Sequence, residues 1–279
     1  MRGLTALVPL IATFILMSST LGEPVILSWP SEEWPITKVD NTLVLELNLW
    51  NLKSARGSAV LVSNKGLTMF YANLYDILQV SSGGWVTGYP EIFYGYKPWN
   101  RYYVNGRWLK LPLRIKELPT VYLIVNYTIW AREPLSLNFA YDLWITKDKF
   151  SRRIGKEDVE VMIWLYHTEL TPAGKRVEMT VMPVNFNGEE IKLRWEVWLG
   201  KADWTIVTFK PCKLLIGKVK LKLNDFILKT KDLVKNLERR DILSHYLEDV
   251  ELGSEFGDPY TRKATFGWII YNFNILGET

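Results

Sequence analysis

Period-two alternation of apolar and polar residues is the feature of this sequence that most constrains its fold. In VEVMIWLYH, residues 159–167, four aliphatic residues alternate with Glu160, Met162 and Trp164. Successive side chains of a strand point to opposite faces of a sheet, so this segment predicts a strand with one buried apolar face. The opposite face carries a carboxylate beside a thioether and an indole, a mixture typical neither of a solvent face nor of a core.

Two further segments show the same mixture on one face. In LVLELNLWN, residues 43–51, that face holds Glu46, Asn48 and Trp50, and in LSLNFAYDLWIT, residues 135–146, it holds Asn138, Asp142 and Trp144. Side by side on one concave sheet, these faces would form a groove lined by acids, amides and aromatic rings. Sugar rings stack on Trp and hydrogen-bond to polar side chains, so the groove suits a polysaccharide. The alternative for each strand is that its acid simply faces solvent.

The remaining chain reads as one all-β domain, residues 23–279, without linkers or repeats. Short alternating segments separated by turn signals are typical of a sandwich or barrel. Asn187-Gly188 predicts a type I′ hairpin and Asn105-Gly106 a second tight turn. One late segment has helical spacing instead: Asn224 is the expected cap of a helix from Asp225. Its expected packing face consists of Phe226, Ile227, Leu233, Val234 and Leu237.

Composition excludes several classes of site. The net charge is only +4 and the basic residues are interspersed with apolar and acidic ones, so no nucleic-acid partner is expected. A single cysteine, Cys212, excludes an internal disulfide, and two distant histidines give no zinc-binding cluster. No metal or cofactor is therefore expected. The scarcity of glutamine and cysteine favours a heat-loving source.

The N-terminus has the order of a secretory signal. Arg2 precedes an apolar run, residues 4–17, and then the small residues SSTLG. The run is short for a membrane span, which needs about 20 residues. We expect residues 1–22 to be a signal peptide and the mature protein to be extracellular. An uncleaved anchor at the cell surface is the alternative, and Asn126 begins a glycosylation sequon that matters only after export.

A second group of acids lies late in the chain. The stretch YLEDVELGSEFGDP, residues 246–259, contains Glu248, Asp249, Glu251 and Glu255. Hydrolysis of a glycosidic bond requires two carboxyl groups, one ionised and one protonated. Period-two counting puts Asp249, Glu251 and Glu255 on one face, so the pattern alone does not choose among them.

Five motifs in order resemble glycoside hydrolase family 12, the small β-1,4-endoglucanases. They are EVMIW at 160–164, YDLW at 141–144, LNLWN at 47–51, GYPEIFYG at 88–95, and the late helix followed by YLEDVELGSEFG at 246–257. The resemblance implies a concanavalin A-like jelly-roll β-sandwich. Such a fold has two curved antiparallel sheets, a concave substrate cleft and one packed α-helix.

The resemblance also implies a role for each matched residue. Glu160 would be the nucleophile and Glu255, after Gly253 and Ser254, the general acid/base. Asp142 would lie against Glu160, with Met162 beside it. The implied substrate-binding residues are Asn48, Trp50, Tyr89, Glu91, Trp144 and Trp164, with Asn48 and Trp50 holding a glucose unit on the non-reducing side. Residues 97–112 would be an insertion, interpreted as a surface segment in preference to a hairpin over the groove.

The resulting hypothesis is a secreted, monomeric endo-β-1,4-glucanase that retains anomeric configuration and needs no cofactor. The preferred β-glucan stays open among cellulose, mixed-linkage glucan, xyloglucan and glucomannan. A non-catalytic, lectin-like sandwich would share the fold and the aromatic groove without needing two carboxyl groups. A structural cell-surface protein would need only the strands and the export signal.

Overall fold

The computed structural model describes residues 23–31, 35–64, 66–81, 83–99, 102–107 and 109–278. The expected signal peptide, residues 1–22, lies outside this part. The strands are β1 Val25–Trp29, β2 Ile36–Lys38, β3 Val44–Glu46, β4 Leu52–Asn64, β5 Leu67–Gln79, β6 Glu91–Tyr96, β7 Tyr103–Val104, β8 Leu113–Arg114, β9 Thr120–Ala131, β10 Asn138–Thr146, β11 Val159–His167, β12 Lys175–Phe186, β13 Glu189–Lys201, β14 Thr205–Pro211, β15 Gly217–Lys222, β16 Tyr246–Leu247, β17 Asp249–Gly253 and β18 Lys263–Glu278. A 3₁₀ turn covers Ile115–Glu117, and helix α1 covers Leu223–Glu238. No helix in the described ranges is both long and apolar enough to cross a bilayer.

The strands form two packed layers, which confirms the expected all-β sandwich. The outer layer pairs in the order β1-β4-β5-β18-β9-β15, and the inner layer in the order β12-β13-β14-β11-β10-β17-β6-β3-β2. A short pairing of β12 with β15, through Asn185 and Phe186, joins the layers into one curved ribbon. Pairing is antiparallel apart from β11 and β14, which run parallel.

The core lies between the layers and takes the apolar face of each alternating strand. Val159, Val161, Ile163 and Leu165 of β11 are all buried there, as the period-two pattern predicts. Across the layers, the ring of Tyr127 from β9 stacks on Phe139 from β10, with ring centroids 4.3 Å apart. The second face of β10 and β11 is thereby turned away from the core and toward the concave side.

The helix is present, but two expectations about it are wrong. It begins at Leu223, and Asn224 does not cap it. Instead, the Asn224 amide donates to the carbonyl of Pro119 and accepts from the N–H of Val121, tying the helix to β9. Leu237 is 54% exposed and lies off the packing face.

Of the two expected turns, one is confirmed. Asn187 and Gly188 have φ values of 53° and 93°, the positive pair that a type I′ hairpin between β12 and β13 requires. Neither Asn105 nor Gly106 has positive φ, so the second turn is not a hairpin of this type. The Asn105 side chain instead hydrogen-bonds both backbone groups of Leu111, which organises the loop between β7 and β8.

Candidate active site

The register of the inner layer aligns the polar faces of three neighbouring strands. Asp142 on β10 lies opposite Met162 on β11 and opposite Glu251 on β17. Trp144 lies opposite Glu160. Because directly opposite residues share a face of the sheet, these side chains form a continuous surface on the concave side. The sequence pattern gives each face correctly, and the strand order brings the faces together.

Glu160 sits in this surface with two hydrogen-bonding partners. The indole N–H of Trp204 donates to its Oε2 at 2.6 Å, and the carboxyl of Asp142 also hydrogen-bonds it. Burial raises the pKa of Glu160 to about 7, against the opposing effects of both hydrogen bonds and of the Lys97 charge. Burial therefore disfavours the Glu160 anion, and the hydrogen bonds from Trp204 and Asp142 together with the Lys97 charge partly offset that effect.

Asp142 supplies one of those donors. Burial, followed by the charges of Glu160, Glu251 and Glu255, raises its pKa well above the ordinary value. One Asp142 oxygen, Oδ1, accepts the N–H of Leu143 at 2.9 Å. A carboxyl that holds its proton in this position donates it toward Glu160, which agrees with the implied place of Asp142 against the nucleophile.

Glu255 lies just beyond the end of β17 and is fixed by Asn138 through three hydrogen bonds. The Asn138 amide donates to Oε2 at 2.6 Å, its Oδ1 accepts the Glu255 N–H at 2.9 Å, and the Asn138 N–H donates to the Glu255 carbonyl at 3.0 Å. Burial and then the Glu160 charge raise the pKa of Glu255 to about 8, while the Asn138 bond acts to lower it. Glu255 is thus favoured to carry a proton while Glu160 is ionised.

The other late acids have different surroundings. Asp249 and Glu251 are buried, at 0% and 1% exposure, whereas Glu255 keeps part of its surface accessible. Glu248 accepts the hydroxyl of Thr146 and the N–H of Phe150, away from the concave surface. Of the four, Glu255 is therefore the one placed to meet a ligand.

The implied sugar-binding residues after β3 fall into an exposed and a buried set. Asn48 and Trp50 are partly exposed, and Trp50 packs edge-to-face on Trp85 with ring centroids 6.2 Å apart. Glu91 is completely buried beneath Asn48, whose amide donates to its Oε1 at 2.9 Å. Glu91 therefore supports Asn48 from below, and its direct contact with a sugar stays a prediction.

Tyr89 also belongs to the supporting structure. Its hydroxyl donates to the carbonyl of Ala140 at 2.9 Å, and its N–H donates to the carbonyl of Asn48 at 2.7 Å. At 5% exposure, it offers little surface to a ligand. Tyr89 thus links the segment after β3 to β10.

Two implied aromatic platforms are more enclosed than the sequence suggests. Trp164 is only 1% exposed and packs with Ala140, Met162 and Leu170, so little of its ring is open to a ligand, and its sugar-binding role stays a prediction. Trp144 is also buried, edge-on against Trp99 and Trp204. Period-two counting gives the face on which a residue lies but not what later loops place over it.

The interpretation of residues 97–112 as a surface insertion is wrong at its first residues. Lys97 is buried and forms ion pairs with Glu46, Glu91 and Glu251. Trp99 is 51% exposed and packs edge-on against Trp144 and Trp204. These three rings form an aromatic wall beside Glu160.

The sequence gives no indication of a site role for Lys97, Trp99 or Trp204, because these residues lie in loops, where no periodicity indicates a face. It places Asn138 on the groove face of β10 with Asp142, but it does not reveal the hydrogen bonds of Asn138 to Glu255. No group of His, Cys, Asp or Glu within the described ranges is arranged to hold a metal ion. Glu46, Glu91 and Glu251 instead surround the Lys97 ammonium.

Comparison with known proteins adds an independent line of evidence. The model of the family described as "Glycosyl hydrolase family 12" matches residues 41–276. Endoglucanase S of Pectobacterium parmentieri is 28% identical over 182 residues, a match that covers 61% of this chain and 60% of that protein. The match therefore spans less than two thirds of the length of that relative.

Solved structures share the fold across nearly the whole chain. A native family 12 xyloglucanase from Bacillus licheniformis aligns with a TM-score of 0.69 at 22% identity, covering 91% of this chain and 100% of its own. Endoglucanase cel12A from Rhodothermus marinus aligns with a TM-score of 0.67 at 23% identity, covering 91% and 99%. At these identities, the likeness establishes the jelly-roll sandwich.

Proposed function

The chain belongs to glycosyl hydrolase family 12, and we propose on this basis that it is an endo-β-1,4-glucanase with a retaining double-displacement mechanism. The observation that carries the proposal is the contrast between two carboxyl groups on one concave surface. Glu160 receives hydrogen bonds from Trp204 and Asp142, whereas Glu255 is held by Asn138 and feels the charge of Glu160. A glycosidase needs one ionised and one protonated carboxyl, and these environments favour that division.

In the first step, the Glu160 carboxylate attacks the anomeric carbon. The bond from that carbon to the leaving oxygen breaks, and Glu255 delivers its proton to this oxygen. The anion stays available as nucleophile because Trp204 and Asp142 donate to it. Glu255 holds its proton because burial and the charge of Glu160 both raise its pKa, whereas the hydrogen bonds to Glu160 act to lower the pKa of that group.

In the second step, the same residues work in reverse. Once Glu160 is a neutral ester, the charge that raises the pKa of Glu255 is gone, so Glu255 becomes able to accept a proton from water. The water oxygen bonds to the anomeric carbon, and Glu160 departs as a carboxylate. The two inversions together preserve the β-configuration.

The groove runs across the strands from the segment after β3 to β13. Met162 is in register with Thr208 on β14, and Thr208 with Trp198 on β13, so this row continues the surface beyond Glu160. With Trp50 on one side of the catalytic strand and Trp198 on the other, an extended chain has aromatic surfaces on both sides of the cut. This supports cleavage at internal bonds.

The relatives support a β-glucan as substrate and differ in its identity. Two are described as endoglucanases and one as a xyloglucanase. The direct test is a reducing-sugar assay on soluble cellulose derivatives, mixed-linkage glucan, xyloglucan and glucomannan, with Glu160→Ala beside the parent. Binding of these glucans without release of reducing ends would instead favour a lectin-like module.

The stereochemical part of the proposal has its own test. In retaining enzymes the carboxyl groups lie about 5–5.5 Å apart and in inverting ones about 6.5–9.5 Å, where a water must fit. The influence of Glu160 on Glu255 supports a close pair. Proton NMR of the first products from a cellooligosaccharide should show the β-anomer, and an initial α-anomer would contradict the nucleophilic role of Glu160.

We propose further that the protein is exported and acts as a monomer. The order of charged, apolar and small residues in 1–22 supports export. N-terminal sequencing of the protein recovered from the medium should begin near residue 23, and recovery only with the membrane fraction would favour the anchor. Light scattering of the purified protein should give a mass near that of one chain.

A further inference from the structure

Lys97 occupies a singular position beneath the concave surface. It is the one buried lysine or arginine among the residues that the structure describes. Five buried acids surround it or continue from it, and we call them the carboxyl cluster: Glu46, Glu91, Asp142, Asp249 and Glu251. Its Nζ lies 3.2 Å from Glu46 Oε2 and 3.3 Å from Glu251 Oε2, and it also pairs with Glu91 Oε1.

The ammonium remains charged in this position. Burial acts to lower the pKa of Lys97, but the charges of Glu251, Glu46 and Glu91 raise it well above its ordinary value. A buried charge is expensive unless it is paired and hydrogen-bonded, and here three carboxyl groups supply the partners.

One chain of contacts leads from Lys97 to the sugar-binding side. Glu91 Oε1 accepts hydrogen bonds from both Lys97 Nζ and the Asn48 amide. Because the amide nitrogen of Asn48 donates to Glu91, the Oδ1 atom of Asn48 is directed away from Glu91. Lys97 thereby sets the orientation of Asn48 without touching a ligand itself.

A second chain leads to the nucleophile. Glu251 pairs with Lys97, lies opposite Asp142 in the register, and hydrogen-bonds Asp249 and Glu91. Asp142 in turn hydrogen-bonds Glu160. The acids facing this region therefore come from β3, β6, β10, β11 and β17, with Glu255 just beyond β17 and the Tyr89 hydroxyl beside them.

We propose that Lys97 is a positioning residue for glycoside hydrolysis: it supplies a buried positive charge to the acids that lead to Glu160, and it holds Glu91 so that Asn48 is oriented toward the sugar. This inference rests on the proposed function. It gives the first residues of the 97–112 segment a part in the reaction. Two residues further on, Trp99 packs on Trp204, the donor to Glu160, so the segment supports the nucleophile from two sides.

The sign of the electrostatic effect follows from the partners. The Lys97 charge lowers the pKa of Glu160, so loss of that charge should raise it. Reaction requires ionised Glu160, and the acid limb of the kcat/KM profile should therefore move to higher pH. Each unit of increase lowers the ionised fraction about tenfold at pH values well below the pKa.

The test compares Lys97→Met with Lys97→Arg and with Lys110→Met, an exposed lysine of the same segment. Lys97→Met should lose about tenfold or more in kcat/KM on the acid side, move the acid limb upward and raise KM for long oligosaccharides. Lys97→Arg should recover part of both effects, and Lys110→Met should match the parent. A folded Lys97→Met variant with the parental acid limb would overturn the proposal, whatever its kcat.

Glu46→Gln should shift the acid limb of kcat/KM in the opposite direction to Lys97→Met. It therefore keeps the proposal testable if Lys97→Met does not fold. It removes one negative charge from beside Lys97 while leaving the ammonium in place, so the acid limb should move to lower pH. An unchanged limb, or a shift upward, would contradict the inference.

Carbon-13 NMR of glutamate-labelled protein separates this inference from the proposed function. The Glu160 carboxyl resonance, assigned with Glu160→Gln, reports its titration without any substrate. If the parent cleaves no β-glucan, the proposed function fails, and the Lys97 inference is still judged by this titration. If the parent is active and the Glu160 titration is the same in parent and Lys97→Met, the inference fails alone.

Discussion

The indole N–H of Trp204 donates a 2.6 Å hydrogen bond to Oε2 of Glu160. This bond lowers the pKa of Glu160, so it acts in favour of the nucleophilic anion. Trp204→Phe keeps an aromatic ring in the wall but removes the donor. We expect the acid limb of kcat/KM to shift to higher pH, with a smaller change in KM. Trp130→Phe in β9 of the outer layer is the matched control, and equal profiles for the two variants would contradict a role of the N–H.

The two carboxyl roles can be separated by chemical rescue. Glu160→Ala and Glu255→Ala should each lower kcat on glucan, the latter by about 10²–10⁴-fold, the usual contribution of general acid/base catalysis. With an activated aryl glycoside and azide, Glu160→Ala should give the α-glycosyl azide, because azide attacks directly. Glu255→Ala should give the β-glycosyl azide, because azide attacks the glycosyl-enzyme.

Glu190→Ala, an exposed acid in the hairpin after Asn187-Gly188, is the control for both variants and should behave as the parent. Glu251 is unsuitable for this purpose, since it is buried and paired with Lys97. Azide products of the same configuration from both variants would show that the two roles are wrongly divided.

Trp50 should act at a subsite remote from the cut. It is partly exposed beside Asn48 and supported edge-on by Trp85. Trp50→Ala should weaken transition-state binding by about 1 kcal/mol or more for long cellooligosaccharides, and Trp50→Phe should recover part of this loss. Short aryl glycosides that do not reach the subsite should be almost unaffected. Equal losses on long and short substrates would place Trp50 at the cleavage point or in a purely structural position.

Stability should fall as pH rises across the range in which the buried acids titrate. Burial raises the pKa of Glu248 to about 7 and that of Glu251 to about 8, from ordinary values of 4.5. Between the ordinary and the raised values, the folded protein binds more protons than the unfolded chain. Its free energy of unfolding therefore decreases with increasing pH. Stability from these groups is fully present below about 4.5 and is lost as pH rises through the folded values.

Thermal unfolding followed by circular dichroism at a series of pH values checks this prediction. Glu248→Gln should flatten the slope, because it removes one of the groups that take up protons on folding. A midpoint temperature that rises with pH across this interval would contradict the dominance of burial.

The sequence predicts the faces of the strands far better than it predicts the surroundings of each residue. Period-two alternation assigns Val161 to the core and Glu160 to the groove because strand geometry alone decides that choice. It does not reveal that Trp164 is covered, nor that Asn224 bonds β9 instead of capping the helix. Those outcomes depend on contacts between segments distant in sequence.

Lys97 shows the same limit most clearly. In the sequence, KPW at 97–99 has the composition of a polar surface turn. No neighbouring residue indicates which three acids surround the Lys97 ammonium. Glu46, Glu91 and Glu251 belong to three strands that meet only through the order β3-β6-β17. A buried ion pair of this kind is a property of the topology.

The pairing of β12 with β15 affects how the folded protein meets other copies of itself. Two separate sheets would have four open edges. Within the described residues, β7 and β8 add two-residue side branches to the inner layer, and the joined ribbon itself ends at β1 and β2. These strands have five and three residues, so the rows of unsatisfied backbone N–H and C=O groups at the two ends are short. Exposed strand edges are templates for intermolecular β-pairing. The continuous ribbon therefore protects a strand-rich chain against edge-to-edge aggregation at high concentration.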